Sequence, residues 1–268
     1  MKKLLKDMVR PLWHYINNPS VREFLRIHDK WGGYERRKRV SNVKFLSYSF
    51  DVPDLPSFVW QFKELFVDKI YKFESTDQSP VIYDCGANIG MSCLYFKNLY
   101  PSSKIIAFEA DKAIADTLGN NLLKNDINNI KIINKAVWIN NDGVEFGADG
   151  ADGGSINCTS HKVRVGSIRL KEYLNKEKKI NLLKIDIEGA EHEVLQDCRN
   201  SLHNVEHIFI EYHSWNSSNQ KLSRILNILE ESGFRYYMET ISSRKLPFIN
   251  RENQGDMDLQ LNIFGVRE

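Results

Sequence analysis

The chain has 268 residues, 42% of them hydrophobic, enough to fill the core of one large α/β domain with a cap, which excludes disordered and fibrous classes. Its formal net charge is only +2, so a broad basic surface for non-specific nucleic-acid binding is not expected, and nucleic acid is not a predicted partner. The charge is uneven along the chain: residues 1–44 carry 12 Lys and Arg against 4 Asp and Glu, a +8 segment on a −6 body.

Residues 1–80 read as an N-terminal helical cap, basic at its start, and not as an independent domain. Leu4, Leu5, Met8, Val9, Leu12, Trp13 and Ile16 form an apolar stripe among basic residues, interrupted by Pro11. Packing of that stripe on the protein's own body or on a second subunit is favoured over a peripheral contact with a membrane surface. Lys6, Asp7 and Arg10 cut the apolar start too short for a signal peptide, and no stretch approaches the roughly 18–20 apolar residues of a membrane span. Further on, Val59, Phe62, Phe66 and Ile70 recur at helix spacing, punctuated by Pro53, Pro56 and Pro80. The four cysteines, Cys85, Cys93, Cys158 and Cys198, form no C-x-x-C pair, which points to neither zinc nor a disulfide framework. The expectation is a cytoplasmic protein, with the inner membrane face open to its basic segment.

Residues 81–268 alternate strand and helix, the pattern of a mostly parallel sheet covered on both faces. The predicted strands are residues 81–84, 104–109, 130–134, 182–187 and 207–212, followed by a terminal antiparallel pair at 234–239 and 259–266. Between the third and fourth lies a glycine- and aspartate-rich stretch, Asn140 to Ser160, read as a long loop before an extra strand at Lys162 to Val165 and a short helix through Tyr173. Asp149-Gly150-Ala151-Asp152 invites a calcium reading, but it lacks the ligand alternation and closing Glu of an EF-hand.

The first of these strands runs into Asp84-Cys85-Gly86-Ala87-Asn88-Ile89-Gly90 and then a helix, Met91 to Tyr100. Glycines there permit a tight turn and let a ligand approach the backbone at the helix start. A dinucleotide fingerprint would read G-x-G-x-x-G; here Asp84 stands where its first glycine should be. A carboxylate at that point repels a pyrophosphate and attracts a cation, which argues against a nicotinamide oxidoreductase and suits S-adenosylmethionine, a sulfonium with no phosphate. Glu109 ends the next strand, 25 positions on, where a carboxylate can accept hydrogen bonds from both hydroxyls of a ribose.

Asp84 to Gly90, Ile106 to Ala110, Asn134 to Val137, Leu183-Lys184-Ile185-Asp186-Ile187-Glu188-Gly189-Ala190-Glu191 and Ile210-Glu211-Tyr212-His213 together resemble the successive motifs of the FkbM family of S-adenosylmethionine-dependent methyltransferases. The resemblance spans about residues 80–266, and the Lys184 to Glu191 run is its most distinctive part. It implies a class I methyltransferase, a Rossmann-like fold with a seven-stranded, mostly parallel sheet, and O-methylation of a sugar, glycan or natural-product hydroxyl. It also implies Asp84, Gly86, Ala87, Asn88, Gly90 and Glu109 as cofactor residues, with Ala136 near the adenine. Cys85 and Ala110 depart from the residues commoner in the family, and neither removes a ligand-binding group.

The acceptor's proton calls for a base at the carboxyl ends of the fourth and fifth strands. Asp186, Glu188, Glu191, His192, Glu211 and His213 are the candidates there. His213 is the first choice as base, since histidine titrates near neutrality. Asp186 is expected to face the cofactor's amine, and Glu188 either to serve the acceptor or to cap the following helix. Asp186, Glu211 and His213 also form a candidate set for a divalent cation, magnesium or manganese, that would lower the pKa of the acceptor oxygen. Trp138, Arg164, Trp215, Arg244 and Lys245 are further acceptor candidates. N- or carboxyl-methylation, or a non-catalytic adaptor in glycan biosynthesis, are the alternatives.

Overall fold

The structure, a computed structural model, describes residues 17–147, 162–241, 246, 248–249 and 257–267. The cap begins with α1 (Pro19–Trp31). Its N-terminus is closed by the Asn18 side chain, which accepts from the Ser20 amide at 2.9 Å, and one face buries Val21, Phe24 and Ile27. An antiparallel hairpin follows, β1 (Val40–Phe45) and β2 (Tyr48–Val52), then α2 (Leu55–Phe62), which continues without a break into a π-helical turn over Lys63–Asp68. The cap, expected to be helical in character, contains this strand pair beside its helices. Val43, Phe45, Phe50 and Val52 are all buried, and this period of two is what a half-buried strand pair needs.

The remaining elements are β3 (Val81–Cys85), α3 (Met91–Leu99), β4 (Lys104–Phe108), α4 (Lys112–Lys124), β5 (Ile130–Ile133), β6 (Ala136–Trp138), β7 (Val144–Gly147), β8 (Lys162–Val165), β9 (Ser167–Arg169), α5 (Leu170–Leu174), β10 (Ile180–Ile185), α6 (Glu191–Cys198), β11 (Val205–Trp215), α7 (Leu222–Glu231), β12 (Phe234–Thr240) and β13 (Met257–Arg267). Seven strands form the central sheet in the order β12-β13-β11-β10-β3-β4-β5. β13 runs antiparallel to both neighbours, and the other pairings are parallel. All seven predicted strands are present.

Side-chain alternation along the strands divides the core into two layers. On one face Ile82, Ile105, Ala107, Leu182 and Phe209 pack with α3, α4 and the cap, including Phe45, Phe58 and Phe62. On the other, Tyr83, Phe108, Leu183, Ile185 and Ile210 pack with α5, α6 and α7. The cap therefore completes one layer of the same core, covering sheet surface that α3 and α4 leave bare.

The stretch read as one long loop is partly ordered into strands. β7 pairs antiparallel with β8, and β6 pairs parallel with β9. The calcium candidate at Asp149 to Asp152 lies outside the described residues, as do the apolar stripe of residues 4–16 and Cys158. Cys85, Cys93 and Cys198 are buried free thiols. Among the described residues no helix is long and apolar enough to cross a membrane.

Candidate functional site

β3 leads into a turn built from left-handed residues: Gly86 has φ 85°, Asn88 φ 46° and Gly90 φ 94°. At Gly86 the ends of β3 and β10 touch. A Cβ there would lie 1.8 Å from the Asp186 carbonyl oxygen, so only glycine fits whether or not a ligand is bound. The amides of Gly86 and Ala87 both donate to the Phe108 carbonyl at 3.0 Å, which fastens the turn to the end of β4. The Glu109 carboxylate then accepts from the Asn88 amide at 3.0 Å and the Asp111 amide at 2.9 Å. Burial pushes its carboxyl up to about 7, against the pull of those two amides.

A cavity of about 380 Å³ opens beside this turn at the carboxyl ends of β3, β4, β10 and β11. That lies in the range of small-molecule sites. Gly86, Ala87, Asn88, Glu109, Ala136, Asp186, Glu188 and Glu211, all expected at the site, line it. Trp60, Gln61 and Glu64 of the cap also line it, with Tyr71, Lys184 and Gln260.

Three expected site residues stand elsewhere. Asp84 is fully buried, pointing toward α3, where it accepts from the Ser92 hydroxyl at 2.5 Å and faces the Lys184 ammonium at 3.2 Å. Asp84, expected among the cofactor residues, does not line the cavity: strand alternation turns its carboxylate away from it. Gly90 starts α3, and a Cβ on it would meet Leu118 and Leu122 of α4, so its place is in helix packing. His213 is 4% exposed, behind the cavity wall. Its Nδ1 lies 3.0 Å from Glu191 Oε1, and its Nε2 lies 3.4 Å from Glu211 Oε1 and 3.6 Å from Glu188 Oε2. Burial favours the neutral ring, but these carboxylates outweigh it and hold the imidazole well above its ordinary range. The ring expected to serve as base is thus enclosed by three acids and does not line the cavity.

The carboxylates themselves have unusual settings. Burial raises Asp186 to about 6 despite Lys184 at 3.2 Å, and raises Glu188 well above its usual value against the pull of His213. Burial, with Glu211 and Asp186 nearby, lifts Glu64 to about 7. Glu211 goes the other way, since the hydrogen bond and charge of His213 overcome its burial. Asp186, Glu211 and His213 each place one ligand atom within 4.8 Å of the others, so the residues singled out as a cation set are brought together. Glu191 is 1% exposed and spends its carboxylate on His213 and the Gly189 amide. His192 sits beside Glu193 at 3.7 Å.

Lys184 is the residue whose importance the sequence reading missed. It is 2% exposed, donates to the Gly86 carbonyl at 2.8 Å, and bridges Asp84 and Asp186. Burial depresses an ammonium, but here Asp186 and Asp84 prevail and keep it well above the ordinary lysine value. A signal was available: β10 is buried at every position, and Lys184 is its one charged residue. Glu64, Trp60 and Gln260 carried no such signal. Trp138, Arg164 and Trp215 do not line the cavity, and Arg244 and Lys245 lie outside the described residues.

A sheet in this strand order with one reversed strand, and a ligand-sized cavity over its carboxyl ends beside a glycine turn, define a class I methyltransferase fold. The model of the methyltransferase FkbM domain matches residues 84–236, and the chain belongs to that family. It is 30% identical over 213 residues to methyltransferase sdnD of Sordaria araneosa, covering 65% of this chain and 80% of that protein. It is 28% identical over 160 residues to methyltransferase 1 of Beauveria bassiana (strain ARSEF 2860), covering 50% and 64% respectively, just under two thirds of that relative. The crystal structure of a methyltransferase FkbM from Methylobacillus flagellatus KT aligns with a TM-score of 0.47 at 16% identity, over 71% of this chain and 45% of that one. Asp84 to Tyr236 is the matched part, so the cap residues at the cavity lie outside it.

Proposed function

We propose that this chain moves the methyl group of S-adenosylmethionine to a hydroxyl of a sugar, glycan or natural-product acceptor. The observation that carries the cofactor is Glu109: two backbone amides fix its carboxylate on the cavity wall beside the glycine turn, leaving lone pairs for the two hydroxyls of a ribose. The Gly86 to Asn88 backbone would lie along the ligand, Ala136 would border the adenine, and Asp186 would meet the methionine amine. When bound, S-adenosylmethionine supplies an electrophilic methyl group.

The chain's own contribution is to orient the acceptor and receive its proton. Alignment of reacting atoms is worth up to about 7–11 kcal/mol in well-ordered systems, and a positioned base about 10²–10⁴-fold in rate. Glu64, Glu188, Glu211 and Gln260 offer acceptors to a polyhydroxylated ligand, and the proton passes to Asp186 or Glu188, both on the cavity wall. N- or carboxyl-methylation would use the same cofactor site; an ether survives mild base where a methyl ester does not, and N-methylation is separated by its need for an amine acceptor. Transfer of labelled methyl to a panel of methyl glycosides and hydroxylated natural products tests the reading. Label retained in base-stable product supports it, and label only in base-labile product overturns O-methylation of an alcohol.

A second element of the reading is a divalent cation at Asp186, Glu211 and His213. The Glu191 carboxylate faces Nδ1 of His213, so a cation that displaces the proton on Nε2 would meet that nitrogen beside the other two donors. Magnesium or manganese held by these residues would lower the pKa of an acceptor hydroxyl. EDTA is expected to reduce methyl transfer by about 10²-fold or more, because the acceptor hydroxyl loses the cation that lowers its pKa, with recovery on adding manganese. Titration of EDTA-treated protein with manganese alone, read by its paramagnetic resonance, is expected to show one site that His213→Ala removes. Full activity in EDTA together with no manganese site removes the cation from the account.

A further inference from the structure

The central sheet ends on β12, and nothing among the described residues pairs with the open side of that strand. Every residue from Arg235 to Thr240 is exposed, including Tyr236 at 40%, Tyr237 at 63% and Met238 at 39%, with Val266 of β13 at 44% beside them. An open strand of this length is a template for another strand, and proteins that keep such an edge free guard it with like-charged side chains, proline, a bulge or a covering loop. β12 contains no proline, and its pairing with β13 runs from Phe234↔Arg267 to Thr240↔Leu261 without a register shift.

The charges on this edge are complementary to themselves. A two-fold axis through Tyr237 sets Arg235 of one copy opposite Glu239 of the other, twice over, and sets Tyr236 opposite Met238. Neither Arg235 nor Glu239 has an ion-pair partner of its own among the described residues. Opposite charges and aromatic side chains directly across from each other are the pairs that stabilise adjacent strands, and register is fixed where such pairs match. Slippage by two residues in either direction would break both ion pairs.

We propose that β12 joins a second copy of this chain, antiparallel and centred on Tyr237, making one continuous sheet through a symmetric dimer. The same patch is then used on both subunits, as two-fold contacts require. The cavity lies at the carboxyl ends of β3, β4, β10 and β11 and reaches Gln260 of β13, and no residue of β12 lines it.

Sedimentation velocity of the full chain at low salt tests this, with Arg235→Glu and Glu239→Arg as variants. Wild type is expected to dimerise. Each single variant places like charges opposite each other at both ends of the pairing, and the dimer is expected to weaken by about tenfold or more. Mixing the two variants restores opposite charges at both ends, so a heterodimer of near wild-type affinity is expected from the mixture. Because both positions are exposed, far-UV circular dichroism and the melting temperature should match wild type; if one variant misfolds, the double variant R235E/E239R, which restores complementarity within one chain, takes its place and is expected to dimerise. A monomeric wild type overturns the proposal, and so does a dimer that both single variants leave intact. A monomer that sediments with vesicles of phosphatidylcholine and phosphatidylglycerol assigns the edge to a membrane and also overturns it.

Discussion

Replacing Lys184 with methionine is expected to destabilise the protein by about 3–5 kcal/mol, the cost of leaving a buried charge without its partner. The ammonium stands between the carboxylates of Asp84 and Asp186, 3.2 Å from each, and also donates to the Gly86 carbonyl. Asp84 is fully buried and Ser92 is its main remaining donor, so without Lys184 it must either stay ionised in the interior or take up a proton. Methionine keeps most of the aliphatic volume, which confines the loss to charge and hydrogen bonding. Urea denaturation of K184M checks the value. Adding Asp84→Asn should recover part of it, because an amide in that place needs no counter-charge. A loss below about 1 kcal/mol would mean that water reaches these carboxylates and that the three groups are not a coupled unit.

The second large effect concerns Glu109. Hydrogen bonds to a charged group are worth about 1.5–3 kcal/mol each, so Glu109→Ala is expected to weaken S-adenosylmethionine binding by about 10²-fold or more while leaving the sheet intact. The same residue predicts a pH dependence. Its carboxyl lies at about 7 because burial raises it; the ionised form accepts hydrogen bonds from a ribose and the protonated form accepts them less well. Affinity should therefore climb as the pH rises through that value and level off above it. Glu109→Gln should bind more weakly and lose the part of the dependence centred near 7, leaving what Asp186, at about 6, contributes at the lower end. Equilibrium dialysis with labelled ligand between pH 6 and 8, spanning that range, measures both, and a wild-type affinity that is flat across it would separate Glu109 from the ribose.

Much of this molecule can be read from its sequence because its strongest signals are local. The strands at the centre of the sheet are short apolar runs followed by turn residues, and the left-handed glycines of the Gly86 to Gly90 turn mark where β3 stops. Glu109 was legible from its place at the end of the following strand. The hairpin of β1 and β2 was not, since its buried positions are few and sit among charged and polar neighbours such as Lys44 and Asp51. Glu64 was hidden by the π-helical turn, which shifts side chains off the 3.6-residue period on which helix faces are assigned. The roles of Asp84 and His213 needed three dimensions. Both residues lie in the motifs that mark the family, but strand alternation sends Asp84 beneath the turn, and three acids from α6, β11 and the β10–α6 turn enclose His213. Motif membership identified residues that build the site without separating those that touch a ligand from those that hold its walls in place.

Calorimetric titration of the wild-type protein with S-adenosylmethionine, its demethylated product S-adenosylhomocysteine and NAD tests the central claim most directly. Saturable binding of the first two at one site, with no heat from NAD, is the predicted result. Folded protein that binds neither S-adenosylmethionine nor S-adenosylhomocysteine would contradict the account and leave the cavity beside Glu109 to another ligand.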